Sequence, residues 1–270
     1  MSERDLYPAG VPCWVETLQP DVEAALNFYG SVFGWEFAGP GAIPGDPPGR
    51  YFVGRLKGRD VAGVGSLTGT ARQPSWATYV RVDDVDDTIE KAKRARGRVL
   101  DGPVDAPPAG RLAVLGDPSG AAVGVWQAGT REGAQLVNEP SAWAMSTLHT
   151  ADTDKAKEFY RAVFGWEPEQ FGPVTLWRLP GYVGGEPKQP VPRDVVGVMA
   201  PIPASANGAA AQPRWSVDFW IADADAAAAR AAEVGGTVVV HPHDTPGFRN
   251  ALIADPQGAV FSISQLVMPH

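Results

Sequence analysis

The stretch DVEAALNFYGSVFGWE, Asp21 to Glu36, returns in the second half of the chain as DTDKAKEFYRAVFGWE, Asp152 to Glu167, with FY-x-x-VFGWE common to both. In the first copy an Asp precedes apolar residues at helical spacing, Val22, Ala25, Leu26, Tyr29, Val32 and Phe33, and Gly34 follows. That pattern predicts a helix capped by Asp21 and stopped by Gly34. Two further pairs of stretches match in the same order. PSWATYVRVDDVD (Pro74 to Asp86) answers to PRWSVDFWIADAD (Pro213 to Asp225), and LGDPSGAAVGVWQ (Leu115 to Gln127) to IADPQGAVFSISQ (Ile253 to Gln265). Three matches in the same order, each offset by about half the chain, mean two homologous halves. They are expected at residues 1–130 and 140–270, joined by the polar, Gly-containing stretch AGTREGAQLVNEPSA.

Each half reads alike. A strand from Trp14 to Leu18 leads into the first helix, and YFVGRL and DVAGVGSL form a hairpin about Lys57, Gly58 and Arg59. WATYVRV then feeds a second helix, capped near Asp84 and ended by Gly97, and three strands follow, Arg98 to Leu100, Arg111 to Leu115 and Ala121 to Trp126. The last two are joined by an Asp-Pro-Ser-Gly turn. Each half is thus two βαβββ modules, four in the chain, an α+β architecture. With 270 residues, 44% hydrophobic and 20% charged, the composition is that of a globular protein, and no apolar stretch reaches the ~20 residues of a spanning helix. The opening MSERDLYPAGVPCWVE has no signal-peptide pattern and the single cysteine makes no internal disulfide, so a cytoplasmic protein is expected. A net charge of −8 without a basic run argues against nucleic-acid or anionic-membrane partners and leans toward a cationic or neutral ligand.

The D-x-x-x-A-x-x-FY-x-x-VFGW helix after a strand, together with the later D-P-x-G-A turn before the last strand, resembles the vicinal oxygen chelate superfamily, which includes glyoxalase I, bleomycin-resistance proteins and extradiol dioxygenases. The P-C-W-V-E opening and FGWE are similar to its tandem, two-domain actinobacterial glyoxalase-like members. The resemblance covers nearly all of the chain. It implies that paired modules roll eight strands into a cupped mixed sheet holding a ligand, and that the enzymes carry a divalent metal there on His and Glu side chains. The places so implied are Trp14 and Met145, Ala77 and Ser216, and Gly124 and Ser262, none of them a ligand type. Their neighbours, Cys13, Val15, Thr78, Val217, Val123, Val125, Phe261 and Ile263, add at most one thiol. No metal or other cofactor is therefore expected.

The motif aromatics Phe28, Tyr29, Phe33, Trp35, Phe159, Tyr160, Phe164 and Trp166 read as core, and Asp117-Pro118 and Asp255-Pro256 as turn chemistry. Strand alternation assigns the cup-facing rows. In half one these are Trp14 and Glu16, Ala77, Tyr79 and Arg81, and Ala122, Gly124 and Trp126. In half two they are Met145 and Thr147, Ser216, Asp218 and Trp220, and Ser262 and Ser264. Trp14, Tyr79 and Trp126 are placed to sandwich a planar or cationic ligand, with Glu16 and Arg81 orienting it or pairing with each other. Asp218 beside Trp220 makes half two the better-equipped site. Among the four histidines, His270 is terminal, His241 and His243 flank Pro242 in a loop leading to Asp244, and His149 is the candidate titrating group facing the cup. The segments Gly39 to Gly49 and Gly181 to Pro192 read as rims, lids or plain surface loops.

Two functions fit this pattern. One is metal-independent binding of a small aromatic or cationic molecule, for resistance or sequestration. The other is a lyase, isomerase or dioxygenase using a displaced metal or the acid-base candidates Glu16, His149 and Asp218. A non-catalytic protein with self-filled cups is a third reading. Fusion of the halves supplies internally the pairing of a dimer, so a monomer is expected.

Overall fold

The computed structural model describes residues 3–43, 48–68, 73–184, 192–206 and 208–267. Half one runs β1 (Pro12–Gln19), α1 (Val22–Phe33), β2 (Glu36–Ile43), β3 (Gly49–Leu56), β4 (Arg59–Ser66), β5 (Ser75–Arg81), α2 (Val85–Arg94), β6 (Arg98–Ala106), β7 (Gly110–Gly116) and β8 (Ala122–Ala128). Half two repeats it with β9 (Trp143–Thr150), α3 (Thr153–Phe164), β10 (Glu167–Phe171), β11 (Val174–Arg178), β12 (Val195–Pro201), β13 (Arg214–Trp220), α4 (Ala224–Glu233), β14 (Thr237–Thr245), β15 (Phe248–Ala254) and β16 (Val260–Leu266). The strands form two eight-stranded mixed sheets, ordered β2-β3-β4-β1-β5-β8-β7-β6 and β10-β11-β12-β9-β13-β16-β15-β14. Within each half the two modules join along one antiparallel seam, β1 with β5 and β9 with β13. The modules therefore pair within a half rather than exchanging strands between halves.

Local signals place the helices. Asp21 accepts from the Ala24 amide at 3.1 Å, and Gly34, at φ 72°, donates to the Gly30 carbonyl. Asp152 and Gly165 repeat both caps on α3. Lys57 and Gly58, at φ 54° and 74°, make the two-residue left-handed turn that suits a twisted hairpin. Gly97 closes α2 as read, its amide donating to the Ala92 carbonyl at 2.8 Å, although the helix itself ends at Arg94 and the left-handed residue is Arg96 at φ 65°. Gly97 also provides closeness, since a Cβ there would lie 2.5 Å from the Phe159 ring and 2.9 Å from the Gly116 carbonyl. Gly236 does the same for Phe28, at 2.8 Å.

Those two contacts cross between the halves, and so does most of the motif. Phe33 packs on Phe219 at 4.9 Å and Phe28 edges Phe261 at 6.3 Å. The Trp35 indole donates to the Ser141 carbonyl, and Trp166 to that of Gly10. Tyr29 and Gln19 donate to one oxygen of Asp255 at 2.8 and 2.7 Å, and Tyr160 donates to Asp117 at 3.2 Å. The two Asp-Pro turns thus do more than turn: one oxygen of each aspartate holds its own loop amides, and the other latches the opposite half. The inward rows of the two sheets share one core, with the Thr78 and Ser146 hydroxyls 2.7 Å apart across it. Each fully buried Phe in it contributes roughly 1.5–3 kcal/mol.

Other corrections concern loops. The presumed linker is a buried strap: Ala134 donates to Cys13, Gln135 to Asp60, and the Tyr7 hydroxyl to the Ala134 carbonyl at 2.6 Å. Residues 39–43 of the presumed rim belong to β2, while 44–47 and 185–191 lie outside the described residues. His241 and His243 sit exposed on strand β14, not in a loop. His270 is outside the described residues. Among the described residues no helix is long and apolar enough to cross a membrane.

Candidate functional site

With the Val, Ile and Phe rows turned to the shared core, the alternate rows line two outer concave faces, as strand alternation requires. In the first cup the floor is occupied by the protein itself. The Tyr79 ring lies over Gly124, where a Cβ would come within 2.2 Å of it. Tyr51, from β3, lies over Gly63 and Gly65, whose added Cβ atoms would meet its side chain at 1.9 and 2.9 Å. The two phenols converge on Glu16: Tyr51 donates to Oε2 at 2.6 Å and Tyr79 to Oε1 at 2.7 Å, while the Trp14 indole donates to the Tyr51 oxygen at 2.8 Å. Burial raises the Glu16 carboxyl above its ordinary range, and these hydrogen bonds oppose that rise.

The strap closes one end of this cup. Arg131 pairs with Asp60 at 2.5 Å, its guanidinium stands 5.7 Å from the Trp14 ring centre, and its carbonyl accepts from the Trp126 indole at 2.8 Å. Trp14, Tyr79 and Trp126 are 7%, 6% and 9% exposed, so a ligand sandwiched between them would have to displace protein contacts. The expected Glu16–Arg81 pairing is not formed. Arg81 instead faces Asp83 at 3.5 Å and Glu132 at 3.8 Å and donates to the Val82 carbonyl, because its place at the end of β5 is beside the strap. Tyr51 and Arg131 escaped the sequence reading; the signal for Tyr51 was the Gly63/Gly65 alternation, which leaves room on one face of β4 for a large ring.

The second cup has the same geometry and different chemistry. Register sets Met145 opposite Asp218, Thr147 opposite Ser216, and Asp218 opposite Ser262. Asp218 stands where half one has Tyr79, and Ser262, Ser264 and Thr147 stand where it has Gly124, Trp126 and Glu16, so small polar groups line the floor. The Ser264 hydroxyl donates to Asp218 Oδ1 at 2.8 Å. Burial pushes the Asp218 carboxyl up to about 6, against the lowering effect of the Ser262 and Ser264 hydroxyls. Further along, His149 Nε2 and Ser216 Oγ are 2.9 Å apart, and burial with the nearby Arg214 charge lowers His149 to about 4. That imidazole is neutral near pH 7. Trp220 is half-buried at the far end of the β13 row, and His241 and His243 stand exposed on the edge strand β14, His243 opposite Asn250, which itself lies opposite Ser264.

The positions at which the resembled enzymes hold metal lie on adjacent strands, three to each sheet, but they present an indole, a methyl group and a bare glycine in half one and a thioether and two hydroxyls in half two. Among the described residues no three His, Cys, Asp or Glu side chains gather as a metal set. The donor set does not fit a divalent ion, and in half one the Tyr79 ring takes the space over the third position.

These features are those of a tandem vicinal oxygen chelate protein. Residues 14–125 match the Glyoxalase/Bleomycin resistance protein/Dioxygenase superfamily model and residues 132–264 the Glyoxalase-like domain model, and the chain belongs to this superfamily. It is 37% identical over 268 residues to "Putative glyoxylase CFP32" of Mycobacterium tuberculosis, covering 97% of each chain. "Anthracycline biosynthesis protein DnrV" of Streptomyces peucetius is 32% identical, over 96% of this chain and 94% of that one. In fold the chain is similar to the Mn(II)-bound glyoxalase of Novosphingobium aromaticivorans, with TM-score 0.63, 17% identity and coverage of 95% and 82%. It is equally similar to the 2,3-dioxygenase LapB of Pseudomonas sp. KL28, with TM-score 0.63, 13% identity and coverage of 97% and 95%.

Proposed function

We propose that the protein binds a small molecule in the second cup without a metal, Asp218 anchoring a cationic or hydrogen-bond-donating group. The observation that carries this reading is Asp218 itself: a half-buried carboxyl whose partners are serine hydroxyls, over a floor of small residues. A carboxylate so placed is costly unless a ligand or solvent meets it. Met145 and Trp220 offer apolar surface for the ligand's body, and the anthracycline naming of the Streptomyces relatives makes polycyclic aromatic amines the first class to test. Calorimetric titration of chelator-treated protein with such a panel is expected to show binding that zinc or manganese does not improve and that Asp218→Asn weakens at least tenfold. Binding or turnover that appears only with a stoichiometric metal would overturn the reading.

A second reading, acid-base catalysis as a lyase or isomerase, is favoured by the same carboxyl titrating near neutrality. It requires a turnover profile breaking near pH 6 that Asp218→Asn abolishes while ligand binding persists. The internal pairing of the two halves supports a monomer, which light scattering of the eluting protein tests directly.

A further inference from the structure

Apart from the Asp218 row, a cavity of about 70 Å³ opens between the N-terminal segment, the strap and the second half. That is room for a small polyatomic group and well below the ~300–1,000 Å³ that encloses a whole drug-sized ligand. Arg4, Arg193, Tyr182 and Asn138 line it, along with Met145 and Val196 from the edge of the second cup. Two arginines and no carboxylate line this cavity, in a chain whose net charge is −8. The Arg4 Nε is shut off from solvent and meets no acceptor among the described residues. Two neighbouring acids are committed elsewhere, Asp194 to Arg178 at 2.8 and 2.9 Å and Glu3 to Arg59 at 3.1 Å, and Asp5 is exposed and does not line the cavity. Arg4 is also held in place from its backbone, whose amide donates to the Gln135 carbonyl at 2.9 Å while Glu3 bridges to Leu136.

We propose that this cavity is an oxyanion-binding site, taking the carboxylate or phosphate group of a small ligand on the Arg4 guanidinium. A planar guanidinium fork with an unused, desolvated N–H is the donor that pairs best with such a group, and Arg193, which is tied to the Gly184 carbonyl by its Nε, adds a second positive charge at the rim. Tyr182, whose phenol feels the Arg4 charge, and Asn138 supply further hydrogen-bonding groups on the wall. Met145 lines the cavity and also sits opposite Asp218, so the anion site adjoins the second cup, and a ligand with an anionic end and an apolar body reaches both.

The test uses the full chain and three probes: benzoate, inorganic phosphate and the neutral isostere benzamide. Ligand-observed NMR is expected to show benzoate binding, no benzamide binding, and competition by phosphate if phosphate shares the site; failure of phosphate to compete assigns the site to carboxylates. Arg4→Gln is expected to weaken benzoate at least tenfold and Arg4→Lys less, whereas Arg50→Gln, on a distant exposed ion pair, leaves it unchanged. Asp218→Asn, which removes a negative charge from the adjoining cup, does not weaken benzoate, which separates this site from the amine anchor. Equal binding of benzoate and benzamide, no binding of either anion, or undiminished binding by folded Arg4→Gln and Arg193→Gln proteins would overturn the proposal.

Discussion

Replacing Asp218 by Asn tests the second cup through stability alone, before any ligand is known. The carboxyl rises from 3.8 to about 6 on folding, mainly because burial disfavours its charge. A carboxyl raised in the folded state favours folding fully below its unfolded value, and that contribution is lost as pH climbs through 6. Full ionisation therefore costs up to about 3 kcal/mol, by 1.36 kcal/mol per unit. Of this, at most about 2 kcal/mol falls between pH 4.5 and 7.5, because the unfolded carboxyl is already largely ionised at the lower pH. Asn removes the charge but keeps an oxygen for the Ser264 hydroxyl. Urea unfolding of both proteins at pH 4.5, 6 and 7.5 should show Asp218→Asn gaining on the wild type by up to about 2 kcal/mol across that range, about three quarters of it between pH 4.5 and 6 and little above. A stability difference that stays flat within about 0.5 kcal/mol would mean that water or a neighbouring cation already satisfies Asp218, and the argument for a ligand there would fall.

His149 carries the opposite sign. Lowered from 6.5 to about 4, it favours folding fully above pH 6.5 and less as pH falls toward 4, so His149→Gln should spare about 1 kcal/mol of acid destabilisation between pH 7 and 5, measured by the same unfolding series. Tyr29→Phe and Tyr160→Phe each remove a hydrogen bond to a buried carboxylate and the acceptor of a buried indole, Trp76 or Trp215, and should each cost about 2 kcal/mol. The latches lie at different aspartates, so the double variant should cost the sum while unfolding in one transition; two separate transitions would show that the halves are not one cooperative unit. Gly97→Ala forces a methyl group against Phe159 and the Gly116 carbonyl and should cost about 1–3 kcal/mol in thermal or urea melts.

What the sequence disclosed was local or periodic. The caps at Asp21 and Gly34 act within one turn of helix, and alternation placed Glu16, Tyr79, Ser216 and Asp218 on the outer faces, where they stand. What it hid was non-local. The latch oxygens of Asp117 and Asp255 find partners in the other half, and nothing in D-P-x-G-A announces a second use. Gly97 showed only its use as punctuation, because the partner of its second use, Phe159, belongs to the other half. The strap looked like a linker because its anchors are backbone amides and carbonyls, which no side-chain pattern encodes. Strand β2 was hidden under glycine and proline, GPGAI, which weaken any strand signal in a single sequence.

The two halves agree at the motif residues that join them and differ on their outer faces. Tyr29 with Tyr160, Asp117 with Asp255, Phe28 with Phe159, Gly97 with Gly236 and Trp35 with Trp166 are matched pairs, and each holds one half to the other. The outward positions Trp14 and Met145, Glu16 and Thr147, Tyr79 and Asp218, and Trp126 and Ser264 differ in every pair. Packing explains the division, since a change inside the shared core disturbs both sheets, while a change on an outer face disturbs only its own cup. Each outer face was therefore free to take its own chemistry. In half one the bare Gly124 and Gly63 admit two tyrosine rings that close on Glu16. In half two serines occupy the corresponding floor and leave Asp218 at its centre. The proposed binding in the second cup therefore carries an expected stoichiometry of one amine ligand per chain, in spite of two domains of the same fold, and calorimetry that counts two equivalent sites would refute it.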